Sequence, residues 1–251
     1  MKILIINPNT LEEFTKKTQA IADSYASPGT RAVAMNPTSG PRSIEGVYDE
    51  LLSSQGTLEL VIANMDDFDA FVIACYSDHP AVYALREITD KPVLGIAEAS
   101  MYVACMLGHK FSVVTSNEEW EPLLLDAVQH YGLSDRCASV RSTRMPVLAL
   151  EEASSAETSQ MILNIAQQVI AEDDAEVICL SCAGMAGMDK ELQEKLGVPV
   201  LDGVACALKL LEGLVGYGVS TSKKRVYAKP GYKPIVGLPD IFQEVYAPRI
   251  D

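Results

Sequence analysis

A chain of 251 residues has room for one large domain or two of about 100–150 residues each. Its apolar content of 48% and charged content of 22% are ordinary for a soluble globular protein with a sizeable core. A formal charge of −14 argues against nucleic acid or an anionic membrane surface as partner, and no apolar run approaches the roughly 18 residues of a membrane span. The N-terminus enters a strand at once, with no leader pattern, so a cytoplasmic protein is expected. Six cysteines in such a chain read as thiols rather than a disulfide framework.

Residues 2–6 form an apolar strand, and Asn7-Pro8-Asn9-Thr10 is turn chemistry leading into a helix to about Tyr25, with Thr10 at capping-box spacing. Residues 30–35 alternate as a second strand. Ser43 is expected to start a long helix interrupted around Gly56, followed by a strand at 71–75, a helix at 80–88, a strand at 92–95 and an apolar helix at 98–107. The second half repeats this order: strand 110–115, helix 118–131, strand 137–142, helix 153–171, strand 176–182, helix 188–196, strand 198–201 and helix 203–215. Strands alternating with helices in this way mark an α/β fold built from doubly wound parallel sheets. From Tyr217 onward Ser, Lys, Pro and Gly dominate, which reads as a tail packed on the body, with one short helix at 240–246 and a possible role in subunit contact.

Two stretches organise the chain. Phe71-Val72-Ile73-Ala74-Cys75-Tyr76-Ser77-Asp78 and Glu176-Val177-Ile178-Cys179-Leu180-Ser181-Cys182-Ala183-Gly184 are β-branched runs that break into small polar residues at a cysteine. Pro92 lies 17 residues after Cys75, and Pro199 lies 17 after Cys182; Asn7 precedes Cys75 by 68 residues, and Thr115 precedes Cys182 by 67. Such matched spacing indicates a duplicated α/β half carrying two equivalent thiols. A thiol buried in a strand is ordinarily only packing. These two sit instead where strand gives way to loop, the place where parallel sheets bind ligands, and a pseudo-twofold axis would make them face each other across one cleft. Amides of the following small residues and the next helix N-terminus would stabilise a thiolate there. The halves are expected to comprise residues 1–98 with 203–251, and residues 99–202.

The remaining titratable residues suggest less. Cys179 and Cys182 form a lone C-x-x-C with no second pair, so no metal is expected. Cys105 and Cys206 read as core packing. No histidine belongs to a triad: His109 precedes a strand, His130 ends a helix, and His79 reads as an exposed loop histidine or one that orients substrate. Asp78 and Asp202 would raise a neighbouring thiol's pKa, so they read as helix caps or as acceptors for substrate N–H groups. No glycine-rich phosphate motif is present, so the α/β order alone does not support a nucleotide site.

Together Ile6-Asn7-Pro8-Asn9-Thr10, Gly40-Pro41-Arg42-Ser43-Ile44-Glu45, Cys75-Tyr76-Ser77-Asp78, Pro92-Val93-Leu94-Gly95-Ile96-Ala97-Glu98-Ala99, Phe111-Ser112-Val113-Val114-Thr115 and Cys182-Ala183-Gly184-Met185 resemble the hydantoin racemase family. This branch of the cofactor-independent aspartate/glutamate racemase superfamily also contains allantoin racemases, and the resemblance covers nearly all of residues 1–215. It implies two pseudo-symmetric halves with the site between them, a small-molecule substrate, no cofactor, a homo-oligomer, and one catalytic cysteine from each half, here Cys75 and Cys182. His79 stands between Asp78 and Pro80, where many relatives place proline directly after the aspartate.

The expected chemistry is proton removal from a carbon α to a carbonyl by one cysteine and proton return to the opposite face by the other. The binding candidates are Asn9, Ser43, Ser77, Asp78, Thr115, Ala183 and Gly184, with helix capping equally compatible for Asn9 and Ser43. Alternatives on the same architecture are aspartate or glutamate racemisation, and arylmalonate decarboxylase-like or maleate isomerase-like chemistry.

Overall fold

The computed structural model describes residues 1–145, 155–181, 185, 187–246 and 248. The first set of elements is β1 (Lys2–Ile6), α1 (Glu12–Tyr25), β2 (Arg31–Met35), α2 (Val47–Asn64), β3 (Ala70–Ile73), α3 (Pro80–Ile88), β4 (Val93–Gly95) and α4 (Ile96–Leu107). The second is β5 (Phe111–Thr115), α5 (Trp120–His130), β6 (Cys137–Ser142), α6 (Ser155–Glu172), β7 (Val177–Leu180), α7 (Asp189–Leu196), β8 (Val200–Asp202) and α8 (Gly203–Tyr217). Among the described residues the strands form two four-stranded sheets, ordered β2-β1-β3-β4 and β6-β5-β7-β8, with every pairing parallel. The repeat read from the spacing is therefore a repeat of topology.

Strands β3, β5 and β7 are buried at every position, as expected of apolar runs covered by helices on both faces. Helices supply the matching stripes: α1 buries Phe14, Thr18, Ile21 and Ala22, one face of a 3.6-residue repeat. The largest core cluster contains Ile3, Ile5 and Val72 from the first sheet, Phe111, Val113 and Val177 from the second, and Met101, Ala104, Leu208 and Leu211 from α4 and α8 between them. Two further clusters fill the outer faces, one around Leu4, Phe71 and Leu85, the other around Ile162, Val169 and Ile178. Helix α8 packs on α1 and β3, whereas α4 packs on β7. The two helices start at one point of contact, where a Cβ on Gly203 would lie 3.0 Å from both the Cβ and the carbonyl oxygen of Ile96.

The tail does pack on the body. Thr221 donates its amide to the Asp90 carbonyl and its hydroxyl to that of Lys91, and Lys223 donates to the carbonyls of Arg86 and Thr89. A short helix α9 (Ile241–Glu244) rests against α2. Among the described residues no helix is long and apolar enough to cross a membrane.

Three local expectations are corrected. Thr10 caps nothing: its hydroxyl donates to the Pro41 carbonyl, and α1 begins at Glu12 after Leu11, with Asn9 Oδ1 holding the Leu11 amide in the preceding turn. The second helix starts at Val47 rather than Ser43 and runs unbroken through Gly56, where the absent side chain admits the 37–39 loop: a Cβ there would meet the Ser39 carbonyl at 2.6 Å. His79 is neither exposed nor in mid-loop. It is the fully buried N-cap of α3: Nδ1 accepts the Ala81 amide at 3.2 Å, so the proton sits on Nε2 and is donated to Ser53 Oγ at 2.9 Å.

Burial pushes His79 down to about 4, with Asp78 opposing only in part. In the unfolded chain the imidazole takes up a proton near pH 6.5, in the folded chain only near pH 4, so acidification between those values favours unfolding. The expected loss across that window is roughly 3 kcal/mol, measured by urea unfolding at a series of pH values and flattened in His79→Asn. Gly203→Ala should cost about 1–3 kcal/mol through overpacking against the Ile96 backbone, seen as a lowered midpoint at unchanged slope.

Candidate active site

Doubly wound sheets open a crevice where neighbouring strands send their connections to opposite faces, here between β1 and β3 and between β5 and β7. The segments that leave those four strands meet. Asn7, Pro8 and Asn9 after β1, Ala74, Cys75 and Tyr76 after β3, Ser116 after β5 and Ser181 after β7 line one cavity of about 60 Å³, closed by Ile44, Ile96 and Trp120. Both halves thus contribute to it.

Cys75 is half-buried. The Ala74 amide still bonds to the Ile6 carbonyl at 2.7 Å, extending the β1 pairing to the residue before the thiol. Ser77 folds back over it, amide to the Cys75 carbonyl at 3.0 Å and hydroxyl to Sγ at 3.4 Å. Asn7 braces the loop opposite, donating from Nδ2 to Asn9 Oδ1 at 3.0 Å and to the Leu11 carbonyl at 3.1 Å. Tyr76 is buried and shares a hydrogen bond with Ser100 Oγ at 2.8 Å on α4.

The binding candidates are placed unevenly. Asn9 lines the cavity and holds the Leu11 amide on its Oδ1, but it does not cap α1, whose N-cap is Leu11 without a side-chain hydrogen bond. Ser43 directs its hydroxyl to Glu45 Oε1 at 2.9 Å, while the next residue, Ile44, lines the cavity. Thr115 is buried one residue before Ser116, and its carbonyl accepts the Thr143 amide. Asp78 accepts from the Tyr83 hydroxyl at 2.5 Å and pairs with His130 Nδ1 at 2.5 Å, joining the β3–α3 segment to the end of α5. It caps no helix, whereas Asp202 does, accepting the Ala205 amide at 2.9 Å. Cys182, Ala183 and Gly184 lie outside the described residues; Ser181, immediately before them, has a buried hydroxyl without a hydrogen-bond partner among the described residues.

The other thiols behave as packing. Cys179 is fully buried in β7 and burial drives it far up; Cys206 is pushed up to about 12 and Cys137 to about 11, burial leading in each. Among the described residues no group of His, Cys, Asp and Glu is arranged to hold a metal ion. Sequence reasoning missed Ser116, Trp120, Ser181 and Glu50. The chain's lone tryptophan was the one legible hint, since so large a side chain at a helix start beside a strand end has to be covered by something. Glu50, half-way through an acidic turn of α2, reads as solvent-facing yet is buried; burial leads in pushing its carboxyl above the usual range, a Ser77 hydrogen bond opposes this, and Asp78 adds to it.

Comparison with known proteins agrees with this architecture. Residues 3–211 match the family described as Asp/Glu/Hydantoin racemase. A hydantoin racemase of Pseudomonas sp. (strain NS671) is 44% identical over 243 residues, 96% of this chain and 97% of its own length. The structure of an allantoin racemase from Klebsiella pneumoniae superposes with a TM-score of 0.92 at 36% identity, covering 98% of this chain and 99% of the other. An allantoin racemase from Pseudomonas fluorescens gives 0.90 at 42% identity, covering 94% and 100%. With two parallel half-sheets sharing one crevice and similarity running the length of the chain, this protein belongs to the Asp/Glu/hydantoin racemase family and is an isomerase.

Proposed function

We propose that this enzyme racemises a hydantoin-type ring, allantoin or a 5-substituted hydantoin, without a cofactor and with two cysteines acting on opposite faces. The observation that supports this most directly is the shared cavity, into which Cys75 comes from the end of β3 and Ser181, the residue before Cys182, from the end of the equivalent strand β7. One cysteine, as thiolate, removes the proton from the ring carbon adjacent to the carbonyl. Charge passes into that carbonyl as an enolate, and the second cysteine, as neutral thiol, delivers a proton from the other side. Hydrogen-bond donors around the cavity offset the developing charge; Asn9 and Ser181 are among the polar side chains that line it. The binding set extends to Ser43, Ser77, Asp78, Thr115, Ala183 and Gly184.

We also assign residues 1–98 with 203–251 to one half and 99–202 to the other, a division supported by α8 packing on α1 and β3 and by α4 packing on β7. Association into a homo-oligomer is supported by the exposed apolar side chains of Val47, Tyr48, Leu51 and Leu52 on α2.

The mechanism has a stereochemical test. Cys75→Ser and Cys182→Ser should each lower racemisation, followed by polarimetry or circular dichroism, by about 100- to 10,000-fold, the usual span for loss of a general acid or base. In deuterium oxide each variant should exchange the ring-carbon proton of one enantiomer only, and the two variants should choose opposite enantiomers. Racemisation at the native rate by either single variant overturns the two-base scheme.

A further inference from the structure

Beside the cysteine cavity lies a second chamber of about 270 Å³, lined by Glu50, Ser77, Asp78, Trp120, Asp126 and His130 among others. The two adjoin: Trp120 walls both, and Ser77, which lines this chamber with Glu50, donates its hydroxyl to Cys75 Sγ at 3.4 Å in the first. A group bonded to the carbon that faces Cys75 therefore has this chamber as its neighbour. The lining is acidic, and Asp78 is already engaged by Tyr83 and His130. Glu50 keeps one oxygen unengaged among the described residues. It is 8% exposed, and its Oε1 is buried with no hydrogen-bond partner among the described residues. Its backbone is held firmly, since Ser53 Oγ donates to the Glu50 carbonyl at 2.8 Å while accepting from His79. A carboxyl oxygen desolvated and left without a donor is unfavourable, and a ligand N–H relieves it where a methylene does not.

We infer that this chamber receives the substituent on the reacting carbon and that Glu50 Oε1 accepts a hydrogen bond from an N–H of that substituent, so that a ureido-bearing ring such as allantoin is preferred over a 5-alkyl hydantoin. A ureido group carries N–H donors on the first and third atoms from the ring carbon, within reach of a wall that begins at Ser77. An alkyl group of equal bulk would fill the volume and leave Oε1 unpaired. Glu50 is then a positioning residue for substrate, and the inference rests on the racemase reading above.

The test compares kcat/KM for allantoin and for 5-isopropylhydantoin in the native enzyme, Glu50→Met and Glu50→Gln. The native enzyme should favour allantoin by at least about tenfold. Glu50→Met, similar in size and without an acceptor, should lower the allantoin-to-isopropyl ratio roughly 10- to 100-fold, carried mainly by KM. Glu50→Gln, which keeps one carbonyl oxygen, should recover part of that loss; should the Met variant fail to fold, the Gln variant alone should lower the ratio about three- to tenfold. A ratio unchanged within about threefold, whether both substrates slow in proportion or neither slows, overturns the role of Glu50, as does a native preference for the isopropyl compound. Racemisation of neither substrate by the native enzyme would instead overturn the function itself, and this inference with it.

Discussion

The segment that presents Cys75 is held at its far end by one buried imidazole. His79 has no exposed surface, takes the first free amide of α3 on Nδ1 and gives its single proton to Ser53 on α2. That arrangement works only for the neutral ring, because a second proton on Nδ1 would face an N–H instead of accepting it. The strand end at Ala74 is fixed by pairing to Ile6, so the intervening residues Cys75 to Asp78 span two immobile points. Ser53 passes the constraint on to the backbone of Glu50. A histidine that touches neither cavity thereby sets the positions of the thiol, the serine over it and the carboxyl behind that serine.

Duplication gives the rest of the geometry. Because both sheets have the same strand order, their crevices open at equivalent strand ends, and packing the halves together joins them in one shared cavity. The copies have since diverged where symmetry would be unfavourable. The helices α4 and α8 start in contact, and only one of them can carry a side chain there: Ile96 on the first and no side chain at Gly203 on the second. Ile96 in turn lines the cavity, so the missing side chain at Gly203 makes room for a wall residue.

Much of this was legible in the sequence because parallel strands and amphipathic helices leave strong periodic marks. The equal offsets from Cys75 to Pro92 and from Cys182 to Pro199 located the repeat before any coordinate. What escaped was set by tertiary contact. Nothing local distinguishes His79 from a solvent-facing loop histidine until Ser53, far away in sequence, is brought beneath it. Glu50 stands in an acidic turn that ordinarily faces water, and it is buried where α2 comes to lie beside Ser77 and Asp78 and, across a pocket, Trp120. Thr10 had suitable capping spacing, yet its hydroxyl ties the turn to Pro41 and leaves the first amides of α1 without a side-chain cap. Short-range rules describe which partners are possible, and the packed structure selects among them.

The path of α8 has a consequence for how the molecule is made. Leu208 and Leu211 belong to the same cluster as Ile3, Ile5 and Val72, so the inner face of the first sheet is completed by a helix synthesised after the whole second sheet. On the ribosome, residues 1–98 emerge with that face open to water and can close it only when the chain has passed Tyr217. The inner face of the first sheet therefore stays incomplete until α8 has been made, and the crevice shared with the second sheet stays incomplete with it.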